Sequence, residues 1–299
     1  MRQSDRTGLL FALAGFATLS LGDAVIKTMA GLWSPVAIAA LRFSMAAVGL
    51  AALLRWREGR AGFRLAAPRA QGGRGAARAV SSTIFFTSLF VLPLATATAI
   101  SFTTPMFTAI LAAVLLGEPL RRPTLIASAV AFLGVLVILR PNLAEAGWWA
   151  VLPLASALTF SLLIIGNRHV AGTASALAMQ FWVAAFASPI LLLAAPLFAQ
   201  TGVERFAVGW PDWTVVARCA FVAVSATCAH WLIYLGTTRA GASVVAPATY
   251  IQLLVASFLG WLWFDTHPDA MTLLGACIII GAGLYLWRAG QVREPPETE

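Results

Sequence analysis

Apolar runs of about twenty residues follow one another along almost the whole chain, and that is the length an α-helix needs to cross the hydrocarbon core of a bilayer. Ten candidates stand out: 8–30, 35–54, 79–94, 97–117, 123–140, 147–166, 174–196, 213–236, 243–264 and 270–288. The third and fourth are nearly one run, broken at Pro93-Leu94-Ala95, and residues 79–117 just suffice for two spans joined by a tight turn. Composition agrees: 60% of the residues are hydrophobic and 11% charged, against roughly a quarter charged in soluble domains. That balance excludes an ordinary water-soluble enzyme. Arg2 and Arg6 before the first run resemble the start of a signal peptide. The run is too long for one, however, and holds Asp23 and Lys27 where a small-residue cleavage site would stand. It is expected to be a retained first span.

The formal net charge of +8 comes from 19 Arg and one Lys set against 12 acids. In a soluble protein such a balance would suggest nucleic acid as a partner. Here the arginines lie between apolar runs, where topology explains them and nucleic acid is not expected. With an internal N-terminus, the inner segments hold Arg2, Arg6, Arg55, Arg57, Arg60, Arg64, Arg69, Arg74, Arg78, Arg121, Arg122, Arg168, Arg239, Arg288 and Arg293. The outer loops hold Arg140 and Arg205, while Lys27, Arg42 and Arg218 fall inside runs. The positive-inside rule then puts both termini in the cytoplasm of a bacterial-type inner (plasma) membrane. Residues 56–78, rich in Arg, Gly and Ala, are expected to form a long cytoplasmic loop facing anionic lipid. The tail 291–299 is expected to be disordered.

Polar groups inside a span are costly and face the bundle interior. On the first run Phe16, Ser20, Asp23 and Lys27 share one helical face, and Asp23 and Lys27 are four apart in the favourable order for a pair. Asp23 is a candidate proton site, or the pair a clamp for a substrate amine and carboxylate; a purely structural pair is equally open. Arg42 lies well inside the second run and could bind a substrate carboxylate or anchor helices. Arg218, nearer the outer surface, is expected to snorkel. In the fourth run Thr98, Ser101, Pro105 and Thr108 form a stripe, and Pro105 frees a backbone carbonyl one turn earlier for a hydroxyl or a ligand. The eighth run has Thr227, His230, Trp231 and Tyr234 on one face, the ninth Pro247 and Tyr250, and the third Ser81, Phe85 and Ser88. An aromatic lining with a few polar groups suits a small organic ligand.

Several chemistries lack their residues. There is no Gly-Lys-Ser/Thr phosphate loop, no metal-ligand spacing, and the cysteines at 219, 228 and 277 all lie inside apolar runs. An intramembrane Ser–His dyad from Ser243 and His267 would need groups at opposite membrane faces, about 36 Å apart along a helix. No cofactor, metal or catalytic residue is expected, and the chain is not expected to be an enzyme.

The halves repeat weakly. A shift of 147 lays Glu118 on Asp265, Gly134 on Gly281, Ala99 on Ala246 and Ala109 on Ala256. A shift of 141 lays Ser20 on Ser161 and Lys27 on Arg168. Five spans per half is odd, so the second copy would be inserted upside down, which is a transporter architecture with its site at the midplane. The expected organisation is all-α, with one five-helix repeat in 1–140 and a second, inverted, in 141–290. Glu118 and Asp265 end their runs on opposite sides and are candidate gate residues. Small residues on the fifth and tenth runs (Ala127, Ala131, Gly134; Gly275, Gly283) permit close packing within the chain or between subunits. Oligomeric state is left open.

The stretch Leu92-Pro93-Leu94-Ala95-Thr96-Ala97-Thr98-Ala99-Ile100, leading to Pro105-Met106-Phe107 and ending Leu115-Leu116-Gly117-Glu118-Pro119, resembles the EamA-type branch of the drug/metabolite transporter superfamily. Ala39-Ala40-Leu41-Arg42-Phe43 is similar to that family's Ala-Leu-Arg-Phe pattern. The resemblance runs over about 8–288 and weakens in the second half, where Asp265 replaces the glutamate and Gln252 stands where Pro105 would map. It implies ten helices around a central cavity lined by spans 1, 3, 4, 6, 8 and 9, and export or import of small metabolites. It also favours Arg42 as an interhelical anchor to carbonyls or Asp23.

The expectation is a secondary transporter working by alternating access, exporting amino acids, aromatic ones foremost. The candidate substrate contacts are Ser20, Asp23, Phe85, Ser88, Thr98, Ser101, Pro105, His230, Trp231, Tyr234 and Tyr250. Uptake of S-adenosylmethionine or another vitamin- or nucleoside-like metabolite is the alternative, as is an uncoupled facilitator.

Overall fold

Helix boundaries follow the punctuation in the chain. The computed structural model describes residues 3–117, 122–170, 172–240 and 245–291. Among these, the α-helices are α1 (Gln3–Lys27), α2 (Pro35–Glu58), α3 (Pro68–Leu89), α4 (Leu94–Ser101), α5 (Thr104–Leu116) and α6 (Arg122–Ala146). The series continues with α7 (Leu152–His169), α8 (Ala176–Ala199), α9 (Trp213–Ala240), α10 (Ile251–Phe264) and α11 (Ala270–Gln291). No strand occurs among the described residues. Pro35 and Pro68 occupy first turns, where a missing N–H costs nothing. Ser175 caps α8 by accepting from the Ala178 N–H at 3.1 Å. Gly59 and Gly117, both at positive φ, close α2 and α5.

Among the described residues, six helical stretches are long and apolar enough to cross a membrane: Arg6–Lys27, Pro35–Glu58, Leu94–Leu116, Ala144–Asn167, Ala176–Ala199 and Trp213–Arg239. Leu125–Leu139, Ala248–Phe264 and Ala270–Tyr285 are shorter apolar helices. The stretch 56–78 is not the loop expected. Helix α2 runs to Glu58, a 3₁₀ turn covers Ala61–Phe63, and α3 starts at Pro68. Eleven residues of the expected loop therefore belong to α3, because Arg74 finds partners inside the protein. Its Nε donates to Asn167 Oδ1 at 2.7 Å and its Nη1 bonds Gln71 Oε1.

The fourth run is two helices, broken at Phe102 and Thr103. Pro105 cannot donate to the Ser101 carbonyl, and the Thr104 hydroxyl does so instead at 2.7 Å. The ninth run is interrupted at the matching place. Ala246–Tyr250 is a 3₁₀ turn and α-helix begins at Ile251, although Gln252 replaces the proline.

The chain divides into two compact units, one of residues 22–92 and 148–227, the other of residues 1–21, 93–147 and 228–299. Each draws on both sides of residue 140. In the first, α2 packs on α8, and α3 on α7 and α8. Its helices are joined by hydroxyls: Ser44 and Ser188 lie 2.7 Å apart, and Ser156 Oγ donates to the Ser81 carbonyl at 2.9 Å. In the second, α6 packs on α11 and α4 on α10. Gly134 and Gly275 let α6 and α11 approach closely: a Cβ added at Gly134 would stand 2.8 Å from the Gly275 oxygen. The small residues of the fifth and tenth runs therefore serve packing within this chain.

Candidate functional site

In the unit of residues 22–92 and 148–227, three helices bring charged side chains together. Asp23 on α1, Arg42 on α2 and Arg78 on α3 act electrostatically on one another. Three aromatic rings, one each from α2, α3 and α7, explain how two guanidiniums are tolerated. The Arg42 Cζ lies 4.5 Å from the Phe43 ring centroid and 5.6 Å from that of Phe86. Arg78 Cζ lies 5.5 Å from Phe43 and 5.2 Å from Phe160 on α7. Ring faces attract a guanidinium without using its N–H groups. Arg42 is only 7% exposed, and its Nε and Nη1 are buried with no hydrogen-bond partner among the described residues. One acid thus faces two permanently cationic side chains, and part of the donor capacity of Arg42 is unspent.

Lys27, one turn beyond Asp23, has a different task. Its ammonium donates to the carbonyls of Leu89 at 2.7 Å and Leu92 at 2.6 Å. These belong to the end of α3 and the turn after it, where carbonyls lack intrahelical donors and the helix dipole favours a cation. Of the two anchors expected of Arg42, carbonyls or Asp23, the carbonyl one is made by Lys27, while Arg42 engages Asp23. Arg218 does not simply snorkel; its Nη1 donates to the Thr28 carbonyl at 3.1 Å, just past the end of α1.

On α3, Phe85 is half-buried and Ser88 fully buried, its hydroxyl turned back to the Phe85 carbonyl at 2.6 Å. Ser81, expected on the same ligand-facing stripe, is spent on Ser156. From the sequence, Arg78 reads as one more topology arginine. The signal was available: 78, 81, 85 and 88 fall on one helical face, so the stripe from Ser81 to Ser88 extends one turn back to Arg78.

The remaining candidates lie in the other unit. Ser20 is buried and donates to the Gln252 carbonyl at 3.0 Å, tying α1 to α10. The hydroxyls of Thr98, Ser101 and Thr108 each donate to the carbonyl four residues earlier, at 2.8, 2.9 and 2.9 Å. Their protons are engaged and their oxygens remain acceptors. Pro105 is exposed on the first turn of α5. Tyr250 meets Phe102 edge to face at the two helix breaks. His230 is half-buried; Trp231 and Tyr234, 36% and 42% exposed, lie ring against ring at 5.6 Å. Asp265 ends α10 in left-handed conformation, φ 50°, with its N–H bonded to the Trp261 carbonyl. Glu118, Ser243 and the tail beyond 291 lie outside the described residues. Among the described residues no three His, Cys, Asp or Glu side chains gather as a metal set.

Comparison with known proteins agrees with these helices. The S-adenosylmethionine uptake transporter of Rickettsia prowazekii (strain Madrid E) is 24% identical over 279 residues, covering 93% of this chain and 92% of its own. The riboflavin transporter of Rhizobium johnstonii is 28% identical over 209 residues, 69% of this chain and 66% of its own. The pseudopaline exporter of Pseudomonas aeruginosa is 26% identical over 294 residues, 95% of this chain and 96% of its own. One crystal structure superposes with a TM-score of 0.59 at 18% identity, covering 97% of this chain and 99% of the other, which supports the fold alone. Membrane-length helices and transporter relatives together make this a multi-pass membrane protein. The EamA-like transporter family matches residues 6–140 and again 147–287, and the chain belongs to that family, within the drug/metabolite transporter superfamily.

Proposed function

We propose that the chain is a secondary transporter that carries a small organic metabolite across the bacterial inner membrane by alternating access. S-adenosylmethionine or another vitamin- or nucleoside-like compound is its first candidate substrate, and uptake its direction. The observation that carries the reading is the Asp23–Arg42–Arg78 cluster, Arg42 buried and the other two half-buried, with its aromatic neighbours, since intramembrane charges mark substrate and ion pathways. Of the relatives named above, one is named for uptake, one for export and one for riboflavin with no direction, and none for an amino acid. The expectation of amino-acid export gives way to its alternative for that reason.

The architecture we propose has ten spans in two inverted five-helix repeats, 1–140 and 141–290. The double family match supports it. So do the pairings of α2 with α8, α4 with α10 and α6 with α11, which join the second and seventh, fourth and ninth, and fifth and tenth runs. The distribution of arginines supports cytoplasmic termini. Asp23 is the proposed proton-coupling group, the one acid in the cluster. In the other unit Ser101, Pro105 and Tyr250 are retained as candidate substrate contacts because they flank the helix breaks, where backbone groups leave the helical ladder.

The test is uptake into proteoliposomes holding the purified chain, with S-adenosylmethionine and riboflavin labelled and other metabolites supplied as a pool. The expected result is saturable accumulation of one compound class, raised by an inward proton gradient. Equal entry into protein-free liposomes for every compound would rule the reading out.

A further inference from the structure

We infer that Arg42 and Arg78 form an anion subsite for the carboxylate of the substrate, with Asp23 as the counter-ion that the substrate joins or displaces. The inference rests on the transporter reading and adds the charge and chemistry of the group recognised.

The argument is one of charge and of hydrogen-bond satisfaction. Among the groups that face Arg42, Asp23 comes from α1, Arg78 from α3 and the Cys219 thiol from α9. The Lys27 ammonium is held by the carbonyls of Leu89 and Leu92. Asp23 balances one guanidinium and leaves the other in excess. A buried uncompensated charge is expensive, and so is a buried donor without an acceptor. The Nε and Nη1 atoms of Arg42 are both buried and without an acceptor among the described residues. A carboxylate settles both deficits at once, since it brings one negative charge and two acceptor oxygens. The rings of Phe43, Phe86 and Phe160 hold the guanidiniums by their faces, which positions the cations while leaving N–H groups for a ligand. A cationic head would meet only Asp23, which two arginines already engage, and a neutral carbonyl would accept from Arg42 but leave the second positive charge uncompensated.

The experiment uses the full chain in liposomes loaded with a mixed pool read by mass spectrometry. The pool holds S-adenosylmethionine and its decarboxylated form, several amino acids and their carboxamides, riboflavin and nucleosides. The expected result is that carboxylate-bearing members leave about tenfold or more faster than their carboxyl-free counterparts, the scale of one charge-assisted hydrogen bond. Arg42→Gln should erase that preference, and Arg42→Lys, which keeps the charge, should retain part of it. Equal loss of acids and their counterparts would overturn the inference and leave the transporter reading standing, as would an Arg42→Gln protein that still prefers acids. Should Arg42→Gln fail to fold, the preference of the natural chain decides alone. Release of no compound at all would overturn the transporter reading and this inference with it. A final arm raises the melting temperature in detergent with chloride or with the transported acid. Stabilisation by chloride equal to that by the acid would make this an inorganic-anion site and overturn the carboxylate assignment.

Discussion

Phe102 and Tyr250 meet edge to face, their ring centroids 5.3 Å apart and their planes at 88°. Each stands where a long apolar run leaves α-helical geometry, Phe102 just after α4 and Tyr250 just before α10. The quadrupoles of such rings favour that arrangement, by about 0.5–1.5 kcal/mol beyond the area buried. The contact thus fastens two helix breaks together. Backbone groups at both places are released from the ladder, and Thr104 has already taken up the Ser101 carbonyl.

The Tyr250 hydroxyl rests against Gly283 on α11, where an added Cβ would collide with it. Gly283→Ala should therefore destabilise the protein by about 1–3 kcal/mol, the usual cost of overpacking. Tyr250→Phe in the same chain removes the colliding oxygen and should recover most of the loss. Melting in detergent checks both, and a Gly283→Ala protein as stable as the parent would mean the contact is not close.

Lys27 carries two carbonyls at the end of α3. Lys27→Met keeps the stem and removes the ammonium, so Leu89 and Leu92 each lose a charged donor. The expected cost is about 2–4 kcal/mol, since hydrogen bonds to charged groups are worth about 1.5–3 kcal/mol each and the losses are not additive. Detergent melting reads this as a fall of several degrees. An unchanged melting temperature would show that water replaces the ammonium.

Asp265 adopts a left-handed conformation that costs an ordinary residue about 1–2 kcal/mol. Thr266 follows with its N–H on the Gly260 carbonyl, closing the helix end. Asp265→Gly should stabilise the fold by up to about 1 kcal/mol. Transport at the parent rate would identify Asp265 as a helix terminator, whereas loss of transport with the stability gain intact would identify a gate.

Asp23→Asn removes the single acid of the cluster. We expect proton-driven accumulation to disappear while substrate-for-substrate exchange continues, measured in the same proteoliposomes with and without a pH gradient. If accumulation survives unchanged, Asp23 balances charge and moves no proton.

The helical segments were legible in the sequence because the property that makes them is local. Twenty apolar residues in lipid must satisfy their own backbone, and a helix does so within the segment. The break before Pro105 was legible for the same reason, since a missing N–H acts one turn away whatever surrounds it. The partners of the charged side chains were not. Arg78 reads as one more topology arginine, and only the packing of α1, α2, α3 and α7 turns it toward Asp23, Phe43 and Phe160. Nothing within reach of Lys27 along the chain marks the carbonyls of Leu89 and Leu92, more than sixty residues away, as its acceptors. Gly134 and Gly275 announce a close approach but not which helix approaches. Local pattern decides which segments are helical; how each helix is rotated, and so which side chains meet, is set by neighbours remote in sequence.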